Sequence, residues 1–157
     1  MKIALYGATG KSGSRILNEL VSRGHEVIAI ARDPSKVTGT DGNVSVRRDD
    51  LSDAVKIAAA VEGVDAVVSA YAPPPHDPDA LVGVTQRQVE AVTRGAKPRL
   101  IVVGGAGGLN VAPGVSLVDS GYLPESVLPI AKAHVKALNV LRASDADWTY
   151  LAPAAFF

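Results

Sequence analysis

The sequence predicts an α/β protein, an open doubly wound parallel sheet in a single domain over 1–157. Three observations carry this. Short apolar runs alternate with helix-periodic segments about six times along the 157 residues. Those runs are continuous rather than alternating, as strands buried on both faces of a parallel sheet require. A glycine-spaced turn joins the first run to the first helical segment. Right-handed crossovers between successive strands then wind the sheet in both directions. Composition agrees: 47% hydrophobic and 20% charged residues supply a core and exclude a disordered chain.

The elements follow in order. Ile3 to Tyr6 is a buried strand that stops at Gly7. Ser14 to Arg23 has Ile16, Leu17, Leu20 and Val21 on one helical face, and Gly24 ends it. Val27 to Ile30 is the second strand. Asp33-Pro34 starts a short helix as cap plus proline. Val44 to Val46 is a brief strand, and Ser52 to Val61 a helix closed by Gly63. Ala66 to Ala70 is the fourth strand. A turn-rich segment, 73–78, reads as a loop over the carboxyl edge of the sheet. Leu81 to Arg94 is helical, Leu100 to Val103 is the fifth strand, and Gly104 to Gly108 interrupts it. The stretch 109–128 is irregular. Pro129 to Arg142 is a helix, and Trp148 to Leu151 the sixth strand.

The turn Gly7-Ala8-Thr9-Gly10-Lys11-Ser12-Gly13 is the first chemical signal. A helix N-terminus exposes free N–H groups and about half a positive charge, so it attracts a pyrophosphate. Glycines allow the sharp turn and the close approach of phosphates. With a strand before it and a helix after it, the spacing points to a Rossmann-like NAD(P) site holding the cofactor on Gly7, Thr9, Gly10, Lys11, Ser12 and Gly13. The bland alternative is a tight strand-to-helix turn with no ligand. A Walker loop is excluded, because no glycine stands five residues before Gly10.

Two residues after the second strand bear on the cofactor's ribose. Asp33 has the offset of the carboxylate that holds an NAD 2′-hydroxyl, yet before Pro34 it also suits a helix cap. Arg32 can fork onto a 2′-phosphate, with Lys11 and Lys36 adding charge. Arg32 makes NADP the preferred cofactor and leaves NAD the alternative. Asp50 and Leu51, after the third strand, can cover the adenine, with Asp50 accepting from its amine; alternatively Asp50 or Ser52 only caps the next helix. Ala70, Tyr71, Gly104 and Gly105 complete the expected cofactor contacts at the fourth and fifth strand ends.

The segments KIALYGATGKSGSRIL, GHEVIAIARDPSK, DDLSD, GVDAVVSAYAPP, RLIVVGGAGGL and DWTYLAPAAFF together resemble the atypical, extended-like branch of the short-chain dehydrogenase/reductase superfamily. Within it the chain is most similar to the NADH-flavin reductases, relatives of biliverdin reductase B. The resemblance spans essentially the whole chain and implies an NAD(P)H-dependent oxidoreductase. It also shows departures. The superfamily's serine after the fifth strand is replaced by Gly104-Gly105. Its Tyr-x-x-x-Lys pair, which protonates a substrate oxygen, is replaced by Ile130 and His134. Carbonyl reduction and sugar epimerisation therefore lack their acid.

Hydride transfer to a flavin fits that gap, since it needs mainly proximity and a stacking surface. FMN or another flavin is then a substrate rather than a tightly held group. The glycines at 104–108 would leave an open floor beside the nicotinamide, and Tyr71 could support a ring or simply pack at the edge of the core. No catalytic residue is assigned; the weak candidates are Tyr71, His76 in the proline loop and His134. His25 lies on the opposite edge and reads as structural. The absence of cysteine and of a His or carboxylate cluster leaves no metal site to expect.

The competing function is a non-catalytic, NmrA-like NAD(P) sensor. A third, weaker one is an isomerase or dehydratase-like enzyme with bound NAD. Sixteen basic and sixteen acidic side chains give a formal net charge of +0, which argues against a nucleic-acid or anionic-membrane partner. No apolar run approaches the ~20 residues of a membrane span. The expected partner is a small-molecule substrate, the expected state a monomer or weak homodimer, and the expected compartment the cytoplasm. The resembled family continues beyond a point equivalent to residue 157 into a segment that walls the substrate pocket. That segment is expected to be absent here, with Phe156 and Phe157 exposed and able to promote self-association.

Overall fold

Ile3, Ala4, Leu5 and Tyr6 are all buried, because the strand they form lies in the middle of a sheet covered on both faces. The computed structural model describes residues 1–39, 42–95 and 97–154, so Phe156 and Phe157 lie outside the described residues. The described residues form eight strands: β1 (Lys2–Tyr6), β2 (Glu26–Ala31), β3 (Val44–Arg48), β4 (Ala66–Ser69), β5 (Arg99–Val103), β6 (Asn110–Ala112), β7 (Val115–Ser116) and β8 (Trp148–Leu151). Six make one sheet in the order β3-β2-β1-β4-β5-β8, every neighbouring pair parallel. The direction of winding reverses between β1 and β4, and at such a switch point the loops at the strands' carboxyl ends part to leave a crevice.

The helices are α1 (Lys11–Ser22), α2 (Ala54–Ala60), α3 (Ala80–Thr93) and α4 (Leu128–Arg142). Alternate residues of the strands feed two cores. Ile3, Leu5, Val27 and Ala29 pack with Leu17 of α1 on one face. Ala4, Tyr6, Ile28 and Ile30 pack with Ile57 of α2, Val84 of α3 and Leu141 of α4 on the other. A smaller cluster of Leu81, Ala133 and Ala137 seals α3 against α4. This is the Rossmann-like arrangement expected from the alternation of elements.

Three details differ from the sequence reading. Helix α1 begins at Lys11 rather than Ser14, so half of the glycine-spaced turn is already helix. Helix α2 is shorter than 52–61 because Asp53, rather than Asp50 or Ser52, caps it, its carboxylate accepting from Val55 and Lys56 N–H. The stretch 109–128 holds a small antiparallel hairpin, β6–β7, turned at Gly114 with φ +75°. Strands of two or three residues are too short to show periodicity. Among the described residues no helix is long and apolar enough to cross a membrane.

Candidate functional site

The crevice at the switch point is built first by backbone. Gly7 has φ +79°, and a Cβ there would stand 2.4 Å from the Ala70 carbonyl oxygen. Gly13 sits inside the first turn of α1, where a Cβ would stand 2.0 Å from the Gly7 carbonyl oxygen. The loop and helix are thus in backbone contact, and Gly10 N–H donates back to Gly7 at 2.9 Å. Gly10 caps α1 with no side-chain hydrogen bond and no acidic residue follows in the first turn. The helix start therefore lacks a side-chain cap from its N-cap residue, the arrangement that suits a phosphate.

Two cavities adjoin this turn and share Ala70, Tyr71 and Ala72 as a common wall. The smaller, about 180 Å³, runs from Gly7, Thr9 and Gly10 to Arg32, Asp50 and Leu51. The larger, about 360 Å³, lies over the ends of β4 and β5 and reaches Ser12, Gly104, Gly105, Ile130 and His134. Its size falls in the range of small-molecule sites, ~300–1,000 Å³. The structure thus gathers eleven of the thirteen residues expected at the cofactor around two adjoining cavities. Lys11 and Gly13 line neither: Lys11 is exposed at the head of α1, and Gly13 is buried as a packing glycine.

In the smaller cavity the charges sort themselves. Asp33 caps the 3₁₀ turn Pro34–Lys36 through Ser35, and its carboxylate also accepts from the Ser35 hydroxyl at 2.6 Å. That hydroxyl, first among several causes, holds Asp33 below the usual carboxylate range. Lys36 pairs with Asp33 at 3.6 Å. Arg32 lines the cavity and Asp33 does not.

Asp50 is exposed, and its carboxylate accepts from Ser52 N–H at 3.1 Å. Bonds from Ser52, the side chain's before the backbone's, keep its carboxyl acidic. Leu51 is buried with φ +61°, a conformation rare for a branched residue. It is held from both sides, its N–H donating to Asp49 at 2.5 Å and its carbonyl accepting from Arg87 Nε at 2.6 Å.

Tyr6, Asp49 and Arg87 were not singled out from sequence. Tyr6 closes β1 and lines the smaller cavity. Its hydroxyl is buried without a hydrogen-bond partner among the described residues, and burial, then the Asp49 charge, push its pKa well above the normal range. A phenol ending a strand at the switch point was the available signal.

The larger cavity is mostly apolar, with Leu117, Leu123, Val127 and Ile130 among its walls. Tyr71 is half-buried, and its pKa is raised chiefly by burial while Arg32 and Arg87 oppose the rise. His134 lines the cavity from α4. His76 is exposed in its loop and lines neither cavity. His25 lies 3.4 Å from the chain's amino group, at the other edge of the sheet.

The glycines after β5 do not serve as an open floor alone. A Cβ on Gly104 would stand 2.0 Å from the Tyr150 ring, and one on Gly105 3.0 Å from the His134 ring. They make room behind the cavity wall for β8 and α4. Tyr150, also missed from sequence, accepts a hydrogen bond from Gly105 N–H at 2.9 Å. Among the described residues no group of three His, Cys, Asp or Glu could hold a metal ion.

Burial lowers the His134 pKa. A folded-state pKa below the unfolded one means that the unfolded chain binds the proton more readily. Stability tied to His134 is therefore present above about pH 6.5, the ordinary histidine value, and is lost as pH falls toward the folded pKa. Melting temperatures between pH 7.5 and 5.5 should fall less steeply for His134→Gln than for the wild type. Parallel curves would contradict this.

The family model described as NAD(P)H-binding matches residues 7–157. Three solved structures are similar. A candidate exported protein from Burkholderia pseudomallei is 42% identical with TM-score 0.84, over 99% of this chain and 73% of that one. A candidate NADH-flavin reductase from Streptococcus pneumoniae is 33% identical with TM-score 0.87, over 99% and 72%. A candidate epimerase from Bacteroides thetaiotaomicron is 38% identical with TM-score 0.88, over 98% and 71%.

Proposed function

We propose that this chain, which belongs to the NAD(P)H-binding family, is an oxidoreductase that prefers NADPH and reduces FMN or a similar planar acceptor bound as a substrate. The observation behind the reading is the junction at Tyr71 of a cleft on a helix N-terminus with an apolar chamber. The residues present suit a dinucleotide: a turn that a Cβ would block at Gly7 and Gly13, a start of α1 with no side-chain cap from Gly10, and Arg32 lining the cleft. When bound, the nicotinamide supplies a hydride. The chain's residues supply the setting. The N–H groups of α1 hold the pyrophosphate, Arg32 pairs with the 2′-phosphate, and Tyr71 offers a ring face. Leu117, Leu123 and Ile130 exclude water, and His134 carries a proton to share with the acceptor.

Arg32→Ala tests the cofactor choice. Charge-assisted hydrogen bonds contribute about 1.5–3 kcal/mol, so NADPH affinity should fall by ~10- to 100-fold. NADH affinity should barely move. Equal losses for both would overturn the assignment.

An NmrA-like sensor is the second reading. It is favoured by Ile130 and His134 standing where the resemblance would put a proton-donating Tyr and Lys. Anaerobic mixing with NADPH and FMN, with NADH in parallel, separates the two. Bleaching of FMN with loss of NADPH is the reductase outcome; tight binding without turnover is the sensor outcome. The reductase reading also carries a monomer or weak homodimer working in the cytoplasm on a small-molecule substrate, without nucleic-acid or membrane partners. Light scattering and cell fractionation test that part.

A further inference from the structure

The Tyr150 hydroxyl and the His134 imidazole meet behind the glycine loop, and the chemistry of that meeting has a direction. The Tyr150 oxygen accepts the Gly105 N–H at 2.9 Å, which leaves the hydroxyl one proton to give. Three acceptors lie within 3.5 Å: His134 Nδ1 at 3.4 Å, the His134 carbonyl at 3.4 Å and the Gly105 carbonyl at 3.5 Å. The His134 carbonyl lies inside α4, where a helical carbonyl already accepts from the residue four positions on. The Gly105 carbonyl is the most distant. Nδ1 makes no other hydrogen bond among the described residues.

We infer that Tyr150 is a positioning residue: it donates to Nδ1, fixes neutral His134 as the Nε2–H tautomer, and makes that N–H the donor offered to the larger cavity. In a neutral imidazole one nitrogen donates and the other accepts, so a donor held at Nδ1 places the proton on Nε2. Burial favours the neutral ring. The glycines are the independent support. A Cβ at Gly104 would occupy the Tyr150 ring's place, and one at Gly105 would press on Cγ and Cδ2 of His134. The Tyr150 ring can stand where it does only because Gly104 lacks a side chain, and Gly105 leaves room for the His134 ring beside it. With Nδ1 turned to Tyr150, the nitrogen left for the cavity that His134 lines is Nε2. The role of that N–H as donor to an acceptor's ring nitrogen or carbonyl rests on the reductase reading above.

The tautomer is measured on the protein alone, so it stands or falls apart from any FMN assay. Nitrogen-15 NMR of histidine-labelled protein at pH 8 separates the two ring nitrogens. The wild type should show a protonated Nε2 and an unprotonated Nδ1 displaced by a hydrogen bond. In Tyr150→Phe, folded by its circular dichroism, the Nδ1 resonance should move toward that of a free unprotonated nitrogen. A proton on Nδ1 in the wild type would overturn the inference, as would an Nδ1 resonance unmoved in the variant. The wild-type spectrum alone decides if the variant does not fold. If the tautomer is as inferred and NADPH with FMN shows no turnover, the positioning role stands and the reductase reading fails.

Discussion

Gly13→Ala should cost the protein about one to two orders of magnitude in NADPH affinity. Propensity alone predicts the opposite of damage, since alanine in a helix is favoured over glycine by ~1 kcal/mol. The tertiary contact reverses the sign. The new Cβ would stand 2.0 Å from the Gly7 carbonyl oxygen and 2.7 Å from its carbon, and both are backbone atoms with no rotamer to escape into. Relief requires the loop and the head of α1 to part by about 1.4 Å, the gap between 2.0 Å and the 3.4 Å at which ordinary van der Waals contact begins. The N–H groups proposed to receive the pyrophosphate lie on those two segments. Losing charge-assisted hydrogen bonds to a phosphate costs about 1.5–3 kcal/mol, or ~10- to 100-fold in affinity. Titration of NADPH fluorescence, with a thermal melt alongside, gives the answer. Wild-type affinity in a folded Gly13→Ala protein would refute the assignment of this turn as the phosphate site.

The second large effect is expected at Gly104, and on stability. An alanine Cβ there would stand 2.0, 2.3 and 2.5 Å from three atoms of the Tyr150 ring. That ring packs on the main core, and its hydroxyl is tied to Gly105 N–H, so it has little freedom to swing away. Overpacking of this kind costs about 1–3 kcal/mol. With roughly 2–4 °C per kcal/mol for a chain of this size, the melting temperature should drop by about 2–12 °C. The control is a double-mutant cycle. On a Tyr150→Ala background the ring is gone, and Gly104→Ala should cost well under 1 kcal/mol, roughly the level of an uncoupled surface change. An equal cost on both backgrounds would mean that the glycine serves the backbone rather than Tyr150. Gly105→Ala should be milder, because its nearest would-be contacts lie at 3.0–3.4 Å.

The strands, the helices and the glycine-spaced turn were legible because their signals are local. Ile3–Tyr6, Val27–Ile30 and Ala66–Ser69 are apolar runs of strand length, and each proved buried. The glycine spacing after the first run identified the turn that the structure sets at the switch point. Asp33 before Pro34 announced its own capping role. The boundary of α1 was less legible, because the turn and the helix share Lys11, Ser12 and Gly13. The hairpin of β6 and β7 was invisible for want of length.

Sequence by itself determined the fold class and the pairing of a glycine turn with a helix N-terminus, since apolar periodicity and backbone freedom act between residues close along the chain. Only the tertiary structure decided which side chains share a cavity. It joined Tyr71 to both cavities, left His76 outside them, and set Arg87, thirty-six positions away, on the carbonyl of Leu51. It also gave Gly104 and Gly105 their reason, the rings of Tyr150 and His134 packed behind them. The physical cause is common to these cases: contacts made across a sheet or between a helix and a distant loop leave no period in the sequence, and appear only when the elements pack.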